Sequence, residues 1–128
     1  MTDNPHILIV DDNPTNLKLV AYLMRAKGYD VATAIDAEAA LAAVREHKPR
    51  LILMDVQLPG VDGLELTRRL KGDAATCGIL IVAVTAYAMK GDRDKAVAAG
   101  CDAYITKPID TRALPETIAR LLARSEMQ

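Results

Sequence analysis

Acidic side chains follow two of the most apolar stretches of the chain. Asp11 and Asp12 come directly after the run of residues 6–10, and Asp55 follows the run of residues 51–54. A short, wholly apolar run is typical of a strand buried on both faces, as in a parallel sheet covered by helices. A carboxylate at its end is costly unless it faces a cleft, a cation or a hydrogen-bond donor. Taken alone, Asp55 could simply cap the following loop, so the other strand ends must decide its role.

Those strand ends add a hydroxyl group and an ammonium group. Thr85 follows the apolar run of residues 79–84, and Lys107 follows the short run of residues 103–106. The carboxyl ends of parallel strands gather along one edge of a sheet, and ligands bind there in the crevice where the strand order reverses. We therefore expect these two side chains and the three carboxylates to meet in one cleft.

The three carboxylates predict a metal site. In one cleft they would repel one another and raise one another's pKa unless a cation intervened. Oxygen ligands suit a hard divalent ion, and Mg²⁺ usually takes one or two carboxylates, some waters and phosphate oxygens. We expect Mg²⁺ at Asp11, Asp12 and Asp55, and the backbone carbonyl of Gln57 is well placed to add a ligand.

The same set of groups suits phosphoryl transfer. An aspartate beside Mg²⁺ can act as a nucleophile and form an acyl phosphate. The metal ion, Thr85 and Lys107 would then neutralise and orient the phosphoryl oxygens, which is most of what the transfer requires.

The two histidines, His6 and His47, are interpreted as bystanders without a catalytic role. His47 is predicted at the carboxyl end of a helix, where its positive charge is mildly favourable.

A strand followed by a helix recurs five times along the chain. The predicted strands cover residues 6–10, 30–34, 51–54, 79–84 and 103–106. This alternation implies a parallel sheet with helices on both faces and right-handed crossovers. The three most apolar strands should be central and the two weaker ones should lie at the edges. The predicted fold class is α/β and flavodoxin-like, a (βα)5 three-layer sandwich with strand order 2-1-3-4-5.

The helices are predicted from caps, glycine stops and apolar spacing. Asp12 or Asn13 caps the first, and Asp36, Asp62 and Asp110 begin the second, third and fifth. Pro115 falls inside the last helix, so either the first turn from Asp110 is loosened or the regular helix starts closer to Leu114. We favour the first alternative, because Asp110 is a good cap. Expected core positions share one face of each helix: Leu17, Val20, Ala21, Met24, Ala40, Leu41, Val44, Leu66, Leu70, Val97, Leu114, Ile118, Leu121 and Leu122.

Composition limits the class of protein. The 128 residues suit one domain, and the absence of Phe and Trp predicts an aliphatic core. With a formal net charge of −1, the chain lacks the excess of positive charge that a general nucleic-acid binder carries. Cys77 and Cys101 fit no metal-ligand spacing or disulfide framework, and they are interpreted as reduced thiols. With no signal peptide and no apolar run long enough to cross a bilayer, the chain is expected to be cytoplasmic.

The polar set resembles the receiver domain of two-component response regulators, the CheY-like family. Asp11-Asp12, Asp55, Thr85 and Lys107-Pro108 carry this resemblance, which covers nearly the whole chain. The loop of residues 57–63 and the segment of residues 85–92 are also similar to those of DivK-type single-domain regulators.

This resemblance implies a role for each residue. Asp55 would accept a phosphoryl group from a histidine kinase or histidine phosphotransferase. Asp12, Asp55 and the Gln57 carbonyl would ligate Mg²⁺ directly, and Asp11 would do so mostly through water. Because Gln57 is two residues beyond the acceptor, it would influence how fast the phosphoryl group hydrolyses. Tyr87, two residues beyond the family's threonine position, would do the same.

The resemblance also implies a switch. Thr85 would bond one phosphoryl oxygen and Lys107 another, and Tyr104 would turn inward when Thr85 moves. The Lys107-Pro108 peptide bond would be cis. The last two helices and the fifth strand would contact the output partner. The first helix around Pro14, Thr15 and Lys18, with the 108–109 loop, would meet the kinase.

We therefore expect a stand-alone regulator, since only residues 125–128 follow the last helix. It would act on a separate effector or pass the phosphoryl group on, and it could dimerise when phosphorylated. It would not be an enzyme beyond its own phosphorylation and dephosphorylation. The chief alternative is a phosphatase of the haloacid-dehalogenase type. Such an enzyme would have an Asp-x-Asp pattern with the nucleophile on the first strand, whereas this strand is followed by adjacent Asp11-Asp12. A flavodoxin-like cofactor binder would need a hydroxyl- or glycine-rich phosphate loop there, and Asp11-Asp12 has the wrong charge for it. A degenerate receiver would lack one of the site residues, all of which are present.

Overall fold

Five strands alternate with five helices in the computed structural model, which describes residues 6–58, 62–85 and 90–126. The strands are β1 (His6–Val10), β2 (Asp30–Ala34), β3 (Leu51–Asp55), β4 (Leu80–Thr85) and β5 (Ala103–Thr106). The helices are α1 (Pro14–Ala26), α2 (Ala37–His47), α3 (Gly63–Lys71), α4 (Lys90–Ala99) and α5 (Ala113–Glu126). The predicted strands and helices are thus all present, with ends that differ from expectation by a few residues at most.

The strands form one parallel sheet in the order β2-β1-β3-β4-β5. This is the predicted flavodoxin-like order, with the weaker strands β2 and β5 at the edges. All five residues of β3 are buried, because this central strand has a neighbour on each side and helices on both faces. The order of the strands reverses between β1 and β3, so their carboxyl ends border the crevice.

Two aliphatic cores lie on the two faces of the sheet. Alternate residues of β1 point to opposite faces, so Ile7 and Ile9 pack with α1 and α5, whereas Leu8 and Val10 pack with α2 and α3. This two-sided burial explains why the strand is apolar at successive positions. The largest fully buried side chains are aliphatic apart from Met24, Met54 and Thr67, as expected for a chain without Phe or Trp.

Helices α1, α2 and α3 begin at predicted capping residues, with Asn13 rather than Asp12 as the cap of α1. The Asn13 side chain accepts hydrogen bonds from the backbone N–H groups of Thr15 and Asn16 at the start of α1. Asp36 and Asp62 cap α2 and α3 in the same way. Each cap satisfies N–H groups that have no partner inside the helix. Short turns therefore join β1 to α1 and β2 to α2.

The expected position of Val97 in the core is wrong. Its side chain is 64% exposed, and the buried residues of α4 are Ala96 at 1% and Ala99 at 4%. These alanines pack with Leu64 and Ala83, because the small side chains let α4 lie close to α3 and the sheet. Val97 is one residue from Ala96, so it lies about 100° further round the helix and faces outward.

Two other expectations are refined. Leu41 is half-buried, and it packs at the margin of the core. Residues 111–112 form a turn in which the Asp110 side chain accepts from the N–H groups of Arg112 and Ala113. The regular helix α5 then begins at Ala113, so Pro115 falls in the first turn, where a missing N–H removes no helical hydrogen bond. The regular helix thus starts beside Leu114 rather than at Asp110, which is the less favoured of the two alternatives, although Asp110 still caps the turn before it.

Gly63 brings the start of α3 against the end of β3. A Cβ atom at this position would collide with the carbonyl oxygen of Asp55 and lie 2.8 Å from Cα of Val56. The Gly63 N–H donates to the Val56 carbonyl at 2.9 Å. Backbone on both sides of the contact leaves little room for adjustment, so glycine is required here for close packing rather than for a positive φ.

Gly63→Ala is expected to lower the free energy of unfolding by about 1–3 kcal/mol, because the added methyl group overpacks this contact. Gly91→Ala is the matched control, since a Cβ at Gly91 has no atom within 4 Å. That change in α4 should be neutral or stabilising by up to about 1 kcal/mol. Urea unfolding of both variants measures the difference, and equal stabilities would contradict the close packing at Gly63.

Cys77 and Cys101 are both free thiols, as predicted. Among the described residues, no helix combines the length and the apolar character that crossing a bilayer requires.

Candidate functional site

The three predicted carboxylates meet at the carboxyl ends of β1 and β3. Val10 pairs with Met54 in the sheet register, so the next residues, Asp11 and Asp55, face each other across the crevice. Asp11, Asp12 and Asp55 each offer an oxygen atom within 4.8 Å of the others. Asp11 and Asp55 are 6% and 3% exposed, whereas Asp12 is exposed. The cluster is therefore anchored in the sheet and open on one side.

Two of the carboxylates are held by the same local hydrogen bond. Oδ1 of Asp11 accepts from the N–H of Asn13, and Oδ1 of Asp55 accepts from the N–H of Gln57, each at 2.9 Å. The second oxygen of each carboxylate is left for other partners. Sequence reasoning missed this pairing, although aspartate commonly bonds the backbone two residues ahead in a turn.

Lys107 reaches the cluster from the loop that follows β5, two strands away from β3. Its Nζ atom lies 3.3 Å from Oδ2 of Asp55 and 3.6 Å from Oδ2 of Asp11. The Lys107 N–H donates to the Thr85 carbonyl at 2.7 Å, which ties the loop after β5 to the end of β4. The peptide bond between Lys107 and Pro108 is cis, as predicted. The lysine side chain, 21% exposed, therefore reaches into the cluster from a loop that is joined to β4.

The electrostatics of the cluster favour binding of a further cation. Burial raises the pKa of Asp11, and the charge of Asp55 adds to this effect. The N–H of Asn13 and the ammonium of Lys107 act in the opposite direction. One ammonium against three carboxylates leaves a formal excess of negative charge that a divalent ion would balance. The donors are all oxygens, so the residues present fit Mg²⁺.

Thr85 and Tyr104 lie beside the cluster on β4 and β5. Thr85 is 2% exposed, and Tyr104, which pairs with Ala83 in the register, is half-buried. Both line a cavity of about 350 Å³ with Gln57 and Leu64. This cavity adjoins the end of β3, so space exists next to the two side chains for which a movement is predicted.

The other predicted residues are placed as follows. The side chain of Gln57 is exposed, and Tyr87 lies outside the described residues. His6 and His47 lie at the opposite edge of the sheet, where their ring centroids are 6.3 Å apart. Pro14 and Thr15 are exposed at the start of α1, on the same side of the sheet as the acidic cluster.

Comparison with known proteins gives the same family from sequence and from structure. Residues 7–119 match the response regulator receiver domain. The chain is 47% identical over 116 residues to the polar-differentiation response regulator DivK of Brucella anthropi, covering 91% of this chain and 94% of that protein. Among solved structures, a CheY-like response regulator receiver domain protein from Methanospirillum hungatei JF-1 superposes with a TM-score of 0.91 at 33% identity, covering 98% of both chains.

A second solved structure has a metal ion at its site. The receiver domain of a sensor histidine kinase from Pseudomonas aeruginosa PAO1 superposes with a TM-score of 0.83 at 32% identity, covering 92% of this chain and 97% of that one. That structure has a magnesium ion coordinated in its active-site cleft. The profile match, the extent of the identity and the shared fold all agree with the convergence of polar residues at the strand ends, and the chain therefore belongs to the response regulator receiver domains of two-component signalling.

Proposed function

We propose that Asp55 accepts a phosphoryl group from a phosphohistidine of a histidine kinase or histidine phosphotransferase. The observation that carries this proposal is the approach of the Lys107 ammonium to the buried carboxylates of Asp55 and Asp11, at 3.3 and 3.6 Å. In the transfer, an Asp55 oxygen attacks phosphorus, a P–O bond forms and the P–N bond to histidine breaks. The histidine ring takes a proton from water as the P–N bond breaks, so it leaves as a neutral imidazole.

Each side chain of the cluster has a separate task in this proposal. Asp11, Asp12, Asp55 and the Gln57 carbonyl hold Mg²⁺, which supplies positive charge to the phosphoryl oxygens when bound. Lys107 offers its ammonium to another oxygen of the phosphoryl group. The N–H of Gln57, already bonded to Oδ1 of Asp55 at 2.9 Å, fixes the orientation of the acceptor carboxylate. Such prior positioning avoids reorganisation during the transfer.

Phosphorylation is proposed to act as a switch. A phosphoryl group on Asp55 would draw the Thr85 hydroxyl towards it and shift the population towards a second arrangement of Thr85 and Tyr104. The cavity of about 350 Å³ next to these residues supports this proposal, because a side chain can enter it without displacing core residues. The signal then passes to a separate protein, an effector or the next phosphoryl acceptor. The exposed Val97 on α4 supports a partner contact on this face.

The proposal predicts phosphoryl uptake from acetyl phosphate only when Mg²⁺ is present, as a mass increase of one phosphoryl group in intact protein. Asp12→Asn removes one metal ligand and should raise the Mg²⁺ concentration for half-maximal uptake by about tenfold or more. Asp30→Asn, at the opposite edge of the sheet, is the control and should leave this concentration unchanged. Uptake that is equally fast in excess EDTA would contradict the metal site.

A further inference from the structure

A cavity of about 710 Å³ lies at the amino-terminal edge of the sheet, opposite the acidic cluster. It opens because α2 packs on β1 and β2, whereas α3 packs on β4 and α4. The two helices share one face of the sheet, and the cavity lies between their carboxyl ends beside the start of β3. We call this cavity the α2–α3 groove.

The α2–α3 groove has an aliphatic floor. Val44 of α2, Leu70 of α3 and Ile79 before β4 are 5%, 3% and 8% exposed, and each lines it. Leu41, the α2 residue that is only half-buried, completes the wall. These side chains belong to the core or pack at its margin, so the floor is rigid and offers apolar surface to a ligand.

The rim of the groove is cationic. Four basic residues line it: Arg45, Lys48, Arg50 and Arg69. Asp73 is the only acidic residue among the lining residues that the structure describes. The Asp73 carboxylate already accepts the N–H of Ala75 at 2.9 Å. Arg69 lies 3.8 Å from Glu65 in an exposed pair, which contributes little and is easily exchanged for a better partner. The groove therefore presents several positive charges around an apolar floor.

Two carbonyl groups at the helix ends beside the groove have local hydrogen-bond donors. Two helices end at the groove, and their last carbonyl groups would otherwise disfavour an anion. The Val44 carbonyl accepts the N–H of Lys48 at 3.0 Å, and the Leu70 carbonyl accepts the Thr76 hydroxyl at 2.5 Å. These two oxygens are therefore already bonded, and the cationic side chains around the groove oppose the remaining negative charge of the helix ends.

We propose that the α2–α3 groove binds a small organic anion of nucleotide size. An aromatic or aliphatic body would cover Leu41, Val44 and Ile79, and phosphate or carboxylate groups would meet the guanidinium groups of Arg45 and Arg69. Guanidinium forks bind such groups with two parallel hydrogen bonds. The volume of about 710 Å³ is that of a small-molecule pocket. Because the groove is at the edge of the sheet opposite Asp55, this inference does not depend on phosphorylation.

Anilinonaphthalene sulfonate, an aromatic monoanion, is a suitable probe because its fluorescence rises in apolar surroundings and the chain has no Trp. The folded protein should bind it at one saturable site. The double variant Arg45→Glu/Arg69→Glu should raise its dissociation constant by about tenfold or more, as two charge-assisted contacts are lost. The control Arg93→Glu/Arg120→Glu changes net charge equally at exposed positions outside the groove and should leave binding unchanged.

A second variant tests the cavity rather than the charge. Ala75 is exposed and lines the groove, so Ala75→Trp should fill the cavity and abolish probe binding without loss of thermal stability. Competition then tests the ligand class: ATP should displace the probe at concentrations about tenfold or more below those of tripolyphosphate, which has no apolar body.

Several outcomes would overturn the inference. They are the absence of saturable probe binding, equal loss of binding in both charge variants, unchanged binding in Ala75→Trp, and equal displacement by ATP and tripolyphosphate. Acetyl phosphate labelling of the same variants separates this site from the proposed function. Labelling should persist in all of them, so a failure at Asp55 and a failure at the groove are distinguishable.

Discussion

Asp55→Asn is expected to abolish phosphoryl uptake from acetyl phosphate in the presence of Mg²⁺. The amide cannot act as the nucleophile that forms an acyl phosphate. Its oxygen can still accept the N–H of Gln57, which Oδ1 of Asp55 does at 2.9 Å. Loss of one negative charge beside Asp11 also relieves repulsion, so the fold and its stability should be retained. Intact-protein mass spectrometry measures uptake, and urea unfolding measures stability.

Asp30→Asn is the matched control for this experiment. It makes the same chemical change at the opposite edge of the sheet, where Asp30 is 4.0 Å from His6 in an exposed pair. This variant should gain one phosphoryl group like the parent chain. An undiminished mass gain in Asp55→Asn would show that another carboxylate is the acceptor, and the proposed role of Asp55 would be wrong.

Lys107→Ala is expected to separate phosphoryl uptake from its structural consequence. The variant retains Asp55 and the metal ligands, so it should still gain one phosphoryl group. It lacks the ammonium that lies 3.3 Å from Asp55 and 3.6 Å from Asp11. Nothing then draws the loop after β5 towards the phosphoryl oxygens. The Thr85 hydroxyl can still meet the phosphoryl group, but without the pull of Lys107 the amide resonances of Thr85 and Tyr104 should shift less on phosphorylation than those of the parent chain.

The same variant should also be less stable without metal. Removing one partner of a buried ion pair leaves uncompensated charge, and here the lysine is partly exposed, so the expected loss is about 1–3 kcal/mol. Mg²⁺ should restore part of it by supplying positive charge to the same carboxylates. Lys27→Ala, at the exposed carboxyl end of α1, is the control. A full phosphorylation response of Thr85 and Tyr104 in Lys107→Ala would contradict its role in transmission.

Much of the fold is encoded in local patterns. Apolar runs predicted the strands and their order, since a strand that is apolar at every position must be covered on both faces. Asn13, Asp36 and Asp62 marked helix starts correctly, because a cap bonds to N–H groups two or three residues away. The residues of the acidic cluster were also predicted, since the ends of parallel strands must meet at one edge.

Other features depend on contacts between elements that are distant in the chain. Which face of α4 is buried was decided by packing: Ala96 and Ala99 fit against α3 and the sheet, although Val97 is the more apolar residue. The distance from Lys107 to Asp55 joins residues 52 positions apart, and it depends on the register of three strands. No local pattern encodes such a distance.

The description of the acidic cluster therefore draws on both the sequence and the tertiary structure. From the sequence alone come Asp11, Asp12 and Asp55, their position after buried strands, and the chemistry that three carboxylates can perform. Only the tertiary structure shows that Lys107 approaches two of them, that burial raises the pKa of Asp11, and that a groove lies between the carboxyl ends of α2 and α3 at the other edge. The physical reason is that residue type and periodicity act over a few residues, whereas distances, burial and cavities arise when whole elements pack.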